Sequence, residues 1–386
     1  MTKRPPRDSL AAAVSLVGKR TILTQSQQSQ QSQQSLSWRA KRTLLTLLSL
    51  CEAFLFPAPR LHSALGASSS IQRKIAVTDP RRAILVFLDG VGIGAGDAAF
   101  NPFAVAHLPR IRALLGGRLP VAEHLDADGR IVAGRAVLAT ADATLGVDGL
   151  PQSGTGQTAL LTGRNAAAEY GRHFGPWVPT PLRPMLAAEN LLRRALDAGR
   201  AVAFANAYPL SGIPADPRTF RRPAGPMLAA QSAGALTRGP VELAEGRAVA
   251  SSITNERWRE HLGNDVPHVT PDEAARTLAG IAADADVTLF AHYDTDYTGH
   301  RGELAGAAAA LERVDAFLGA LADALPPDTL LVVSSDHGNV EDARGGHTIN
   351  PVPVLALGTG REVFVNVRSL MDVTPLILDS LGIGRG

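Results

Sequence analysis

The chain has 386 residues, of which 45% are hydrophobic and 19% charged. That balance excludes wholesale disorder and suits one large α/β domain or two average ones. Cys51 is the only cysteine, so a disulfide framework and a multi-cysteine zinc or iron–sulfur site are excluded within one chain. Any metal must be held by histidine and carboxylate.

The net charge of +2 hides an asymmetry. Residues 1–80 carry eleven Lys/Arg against Asp8, Glu52 and Asp79, a local +8 that leaves −6 for the remainder. All four lysines (Lys3, Lys19, Lys41 and Lys74) lie in that first stretch, and the body uses arginine alone. An acidic body lacks the clustered cations that a phosphate backbone demands, so nucleic-acid binding is excluded as a function class.

Residues 25–35 read QSQQSQQSQQS, a polar low-complexity tract with nothing to bury. Arg39-Ala-Lys41-Arg42 then precedes an apolar run from Thr43 to Phe56 that Glu52 interrupts. Such a run is too short to span a bilayer as an ordinary helix. Residues 1–78 are therefore expected to be a low-complexity, disordered or targeting extension, and residues 79–386 the folded body. A cytoplasmic location is expected, with export through the signal-like segment 39–67 as the alternative.

In the body, Ala83–Leu88 is a continuous apolar strand that runs into Asp89-Gly90. Pro151 to Gly163 begins as a turn rich in Gly, Ser and Thr and continues as a short helix, with Ser153 at or just before its N-terminus. A helix over about Ala187–Ala198 leads to a strand at Ala201–Ala205, and a stretch rich in Gly, Pro and Arg follows over roughly 209–271. Val287–Ala291 is the next strand, Glu303–Leu325 a helix with apolar residues at helical spacing, and Leu330–Ser334 the last strand. Buried strands alternating with helices predict a mostly parallel sheet covered by helices on both faces, a three-layer α/β/α sandwich.

In open sheets of this kind ligands bind beyond the carboxyl ends of the strands. The residues there are Asp89, then Asp294 and Asp296, then Asp336-His337. Asp296 and His300 stand four residues apart, and His347 follows His337 by ten. Asp and His without Cys form a ligand set for Zn²⁺, Mn²⁺ or a related divalent ion, and the number of donors suits two ions rather than one. Two such ions can clamp both oxygens of an in-line phosphoryl displacement. Ser153 is a candidate nucleophile, since the N-terminal end of a helix favours an anionic oxygen. Read alone, Ser153 or Thr155 equally suits a helix cap.

Several blocks resemble the alkaline phosphatase superfamily, most nearly the cofactor-independent phosphoglycerate mutases and phosphopentomutases. Asp294–Leu318 (DTDYTGHRGELAGAAAALERVDAFL) resembles their second metal segment and its trailing helix. Ser334–Gly358 (SSDHGNVEDARGGHTINPVPVLALG) is similar to the Asp-His-Gly segment of the mutases. Phe87–Gly94 (FLDGVGIG) resembles their first metal-binding strand, and Asp372–Ile383 (DVTPLILDSLGI) their C-terminal helix. The resemblance implies two metal sites, one from Asp296, His300 and His347, the other from Asp89, Asp336, His337 and the oxygen of Ser153. It selects Ser153 over Thr155, because family members place a glycine ten residues after the nucleophile and Gly163 stands there.

The chain departs from the mutases in two ways. Only Arg164–Thr180 separates the nucleophile helix from the next core helix, which leaves no room for their large second domain, although the 209–271 stretch could form a small lid. Their active-site lysine has no counterpart in a body without lysine. Leu160–Arg164 (LLTGR) also matches a sulfatase ending, but Ser153, Thr155 and Gln157 stand where a modifiable Cys, Pro and Arg belong. The expected function is metal-dependent phosphoryl transfer on a small-molecule phosphate ester with two Mn or Zn ions and a Ser153 nucleophile. Hydrolysis stands ahead of a phosphomutase reaction. A sulfatase-like hydrolase and a non-catalytic binder of phosphorylated ligands are the further alternatives. No membrane span is expected, and the oligomeric state is left open.

Overall fold

Strand β1 (Arg82–Leu88) shows how the sequence builds the body. Its residues alternate between two buried faces: Ala83, Leu85 and Phe87 enter one core, and Ile84, Val86 and Leu88 the other. A strand buried on both sides must be central and needs helices above and below it. The computed structural model describes residues 79–210 and 220–384, which fall in one unit, Arg73–Gly386. The low-complexity tract, the signal-like segment and the first part of the expected insertion lie outside the described residues.

Seven strands form one sheet among the described residues. The others are β2 (Arg130–Ala133), β3 (Ala136–Ala141), β4 (Val202–Phe204), β5 (Val287–His292), β6 (Thr329–Ser334) and β7 (Val352–Gly358), and the order is β2-β3-β7-β6-β1-β5-β4. β6, β1, β5 and β4 are mutually parallel, whereas β7 pairs antiparallel with both β6 and β3, and β2 antiparallel with β3. Five of the seven strands therefore share one direction, although half of the pairings are antiparallel. The four strands expected from the sequence are β1, β4, β5 and β6. The three that were not expected are a four-residue edge strand, an alanine-rich segment (AVLATA), and a segment carrying Pro353, a residue that argues against a strand.

Register fixes where the site forms. Leu88 pairs with His292 and Phe87 with Ser334, so β1, β5 and β6 end at one level. On one face lies α1 (Ser153–Thr162), whose Leu160 and Leu161 are buried, together with α2 (Gly225–Ser232). The opposite face is covered by α3 (Pro271–Ala283) and by α5 (Leu304–Ala324), which follows the short helix α4 (Asp294–Gly299). The helix expected over Ala187–Ala198 is instead two helices, Arg183–Glu189 and Leu191–Asp197. Asn190 separates them: its Nδ2 donates to the Leu186 carbonyl at 2.7 Å and its Oδ1 accepts from Arg193 N at 3.0 Å.

The stretch expected as an insertion divides in two. Residues of α2 (Ala229, Ala230) and the following Ala233 and Ala235 join the main core, whereas Leu243, Ala248, Ala250 and Val266 form a small cluster with Ala207 against which Trp258 packs.

α5 buries Leu311, Val314, Phe317, Leu318 and Leu321, and the Phe317 ring meets Phe290 of β5 at 5.3 Å between centroids. Truncating a fully buried phenylalanine removes its transfer energy and leaves a cavity. Phe317→Ala is expected to cost about 3–5 kcal/mol in urea denaturation.

Candidate metal and nucleophile site

The residues after β1, β5 and β6 meet α1 at the carboxyl ends of the strands. Ser153 is the first residue of α1, and its Oγ lies 3.0 Å from His337 Nε2. It does not cap the helix: Gln152 is the cap residue, without a side-chain cap bond. Thr155 is committed elsewhere, donating to the Gln152 carbonyl at 3.2 Å and accepting from Phe174 N at 3.2 Å.

His337 Nε2 also stands 3.4 Å from Asp89 Oδ1 and 3.7 Å from Asp336 Oδ2. Beside it, the His347 ring stacks on His337 with centroids 3.8 Å apart. His347 Nε2 lies 3.2 Å from His300 Nε2 and 3.8 Å from Asp296 Oδ1, and Asp296 Oδ2 is 3.4 Å from His300 Nε2. Ser153, Asp89, Asp296, His300, Asp336, His337 and His347 thus come together. Two triads have donor atoms within 4.8 Å of one another, Asp89–Asp336–His337 and Asp296–His337–His347, so His337 faces both halves of the site. His300 lies at the exposed rim.

Neighbours fix these groups. Gln157, one turn after Ser153 on the same helix face, donates through Nε2 to Asp336 Oδ2 at 3.1 Å, and its Oε1 accepts from Gly225 N at 2.8 Å. Asn339 Nδ2 donates to Asp296 Oδ1 at 2.6 Å, and Pro151 O lies 2.8 Å from His347 Nδ1. Close approach demands glycine: a Cβ on Gly156 would sit 2.6 Å from the Asp336 carbonyl, and one on Gly90 2.6 Å from Asp296 Oδ1. The sequence reading gave Gln157, Asn339 and Glu341 no positioning role. For Gln157 the four-residue spacing from Ser153 was the available signal. For the other two, only the fold reveals the partners.

The electrostatics call for a cation. Burial, then repulsion from Asp336 and Asp296, holds the Asp89 carboxyl well above its usual range, and burial likewise raises Asp336. Burial disfavours a charged His337, but Asp336, Asp89 and Asp296 outweigh it and lift the imidazole to about 10. Burial, followed by the His337 charge, pushes His347 down to about 4. Asp89 Oδ1 is buried without a hydrogen-bond partner, an orphan acceptor of the kind a metal ion satisfies. Carboxylate and imidazole donors with one unpaired oxygen fit a divalent cation.

Other residues fall outside this cluster. Arg164 lies past the far end of α1 and pairs with Glu169 and Glu189, which leaves it a surface residue. His292 is the last residue of β5, with Nδ1 2.7 Å from Ser251 O, and burial lowers its pKa to about 4. Asp294 points away from the cluster to Arg257 at 2.9 Å and Arg313 at 3.3 Å.

Residues 255–385 match the metalloenzyme superfamily. The matched region carries Asp296, His300, Asp336, His337 and His347, while Asp89 and Ser153 lie upstream. Curated relatives include a 2,3-bisphosphoglycerate-independent phosphoglycerate mutase of Desulforudis audaxviator, 41% identical over 26% of this chain and 21% of its own length. A phosphopentomutase of Methylobacterium sp. is 43% identical over 26% of each chain. The chain thus spans about a quarter of the length of these relatives. Among solved structures, an alkaline phosphatase from the Antarctic bacterium TAB5 aligns over 80% of this chain and 99% of its own, with 13% identity and a TM-score of 0.44. No helix among the described residues is long and apolar enough to cross a membrane.

The raised His337 has a measurable sign. A pKa of about 10 in the folded chain against an ordinary 6.5 stabilises the metal-free protein fully below pH 6.5, and that contribution is lost as pH rises toward 10. The lowered His292 and His347 act only below pH 6.5, and the raised Asp89 and Asp336 act in the same direction as His337. Chelator-treated protein is therefore expected to lose several degrees in Tm between pH 7 and 10. Cation-saturated protein should hold a nearly flat Tm over that range, as differential scanning fluorimetry would show.

Proposed function

We propose that this chain transfers the phosphoryl group of a small-molecule phosphate monoester through Ser153. The observation that carries this reading is the placement of Ser153 Oγ 3.0 Å from His337 Nε2, at a helix N-terminus, where His337 belongs to both the Asp89–Asp336–His337 and the Asp296–His337–His347 triads. Asp89, Asp336, His337 and Ser153 would hold one divalent cation and Asp296, His300 and His347 a second, with Mn²⁺ or Zn²⁺ suited to these donors. Bound there, two cations supply charge neutralisation for the attacking and leaving oxygens.

The rest of the chemistry belongs to the chain. Ser153 Oγ, its proton lost to solvent, attacks phosphorus in line with the ester oxygen; the new O–P bond forms as the ester bond breaks, the alcohol leaves on taking a proton from solvent, and the phosphoryl group rests on Ser153. The dipole of α1 favours negative charge at that end of the helix. Gln157 and Asn339 keep the carboxylates of Asp336 and Asp296 aimed, so little reorganisation is needed as charge develops. In the second step an oxygen nucleophile attacks the phosphoserine and Ser153 leaves.

Water as that nucleophile makes a phosphatase, and the bound alcohol a mutase. Hydrolysis stands ahead because only the short helix Ala166–Tyr170 and a loop separate α1 from the core helix Arg183–Glu189, which leaves no large cap there to exclude water. The mutase reading draws on the relatives, which are a phosphoglycerate mutase and a phosphopentomutase by name.

A phosphorus NMR time course with Mn²⁺ or Zn²⁺ and a pool of phosphoglycerates, pentose phosphates and aryl phosphates tests both readings. Cation-dependent inorganic phosphate is the expected product, and an isomeric ester without free phosphate would favour the mutase. Ser153→Ala should lower turnover by roughly a thousandfold or more while cation binding persists. Turnover that survives the substitution would overturn the nucleophile assignment.

A further inference from the structure

Glu341 is buried, four residues beyond His337, and it has no ion-pair partner among the described residues. Its carboxylate is nevertheless saturated. Oε2 accepts from Gly92 N and from Asn339 N, both at 2.8 Å, and Oε1 accepts from Thr348 Oγ1 at 2.5 Å and Asn350 Nδ2 at 3.0 Å. Four donors fill the acceptor positions of one carboxylate, which leaves Glu341 no lone pair for a metal. Asp89 is the opposite case, with a buried oxygen that accepts no hydrogen bond and has His337 Nε2 at 3.4 Å.

The four donors come from two loops, the one after β1 and the long β6–β7 connection that also carries Glu341. Gly92 follows Asp89 in the loop after β1, Asn339 belongs to the loop of Asp336 and His337, and Thr348 and Asn350 follow His347. The third element with a candidate ligand, α4 with Asp296, is tied in through the Asn339 side chain. The contact is tight enough to require glycine on both sides, since a Cβ on Gly92 would sit 2.2 Å from Glu341 Oε1 and one on Gly338 2.3 Å from it. A charged side chain in a dry site costs several kcal/mol unless something of opposite sign compensates it. Here four hydrogen-bond donors meet it, and Asp89, Asp296 and Asp336 lie in the same site.

We propose that Glu341 is a positioning residue of a two-cation centre: it folds the β6–β7 loop that carries Asp336, His337 and His347 onto itself and latches it to the loop that carries Asp89, and it supplies the fourth negative charge of the site. With neutral histidines, four carboxylates balance two divalent cations. This inference rests on the two-cation reading above. Glutamine at this position would keep the shape but remove the charge, and its amide nitrogen would turn donor to donor against two of the four partners.

The test is a calorimetric titration of chelator-treated full-length protein with Mn²⁺, accompanied by electron paramagnetic resonance to detect a coupled ion pair. The parent protein is expected to bind two equivalents. Glu341→Gln should weaken the second by tenfold or more and lose the coupled signal while the metal-free circular dichroism stays native. Thr348→Val, which keeps the charge but removes one donor, should weaken Mn²⁺ binding three- to tenfold, and it serves as the test should Glu341→Gln fail to fold. Two equivalents bound with parental affinity in folded Glu341→Gln, or in Thr348→Val if that variant alone folds, would overturn the inference and leave the two-cation reading intact. A parent protein that binds no Mn²⁺ would overturn both.

Discussion

Repulsion among buried carboxylates is the constraint on which the site depends. Asp89 and Asp336 both face His337, and Asp296 approaches from the side of His347. Sheet register brings them together, so the chain cannot relieve the repulsion by moving one of them without breaking a central strand pairing. The fold instead concentrates proton affinity on His337 and leaves an oxygen of Asp89 without a hydrogen-bond partner. A site of this kind is incomplete until positive charge enters it, which is how a protein pre-organises for a cation.

The scaffold serves that constraint at several distances. β1 lies between β5 and β6 with both faces covered, so Asp89 emerges from the most restrained position in the sheet. Gln157 ties α1 to Asp336 on one side and to Gly225 on the other, linking the start of α2 directly to a candidate ligand. Arg257 and Arg313 hold Asp294 on the outer face of α4, which leaves the inner face to Asp296. Hydrogen bonds that fix the direction of a ligand are the usual complement of a metal centre and contribute to its affinity.

Much of this was legible in the sequence because apolar runs ending in Asp or His are a local signal. Ala83–Leu88 before Asp89 and Leu330–Ser334 before Asp336-His337 announced the strands and, at their ends, the candidate ligands. The antiparallel part of the sheet was not legible. β3 is alanine-rich, β2 has four residues, and Pro353 disguises β7, so their strand character comes from pairing rather than from local preference. The break at Asn190 was hidden for a related reason: asparagine is tolerable within a helix, and only its side-chain bonds to both neighbouring helices reveal it as a junction. Glu341 lay beyond sequence reasoning altogether, since an acidic residue in a polar loop ordinarily faces water.

The stacked imidazoles carry one more consequence. His337 and His347 lie ring on ring at 3.8 Å, yet in the metal-free protein one holds its proton up to about pH 10 and the other sheds its own near pH 4. In the proposed two-cation centre His337 is a ligand, and a ligand histidine must be neutral, so filling that centre would turn this unlike pair into a like one and expel the proton of His337. Cation uptake at neutral pH is then an exchange of ions rather than a simple addition. Its apparent heat would follow the ionisation enthalpy of the buffer, and acidification would compete with the metal at His337 Nε2, the atom that faces Ser153, and at the raised carboxyls of Asp89 and Asp336.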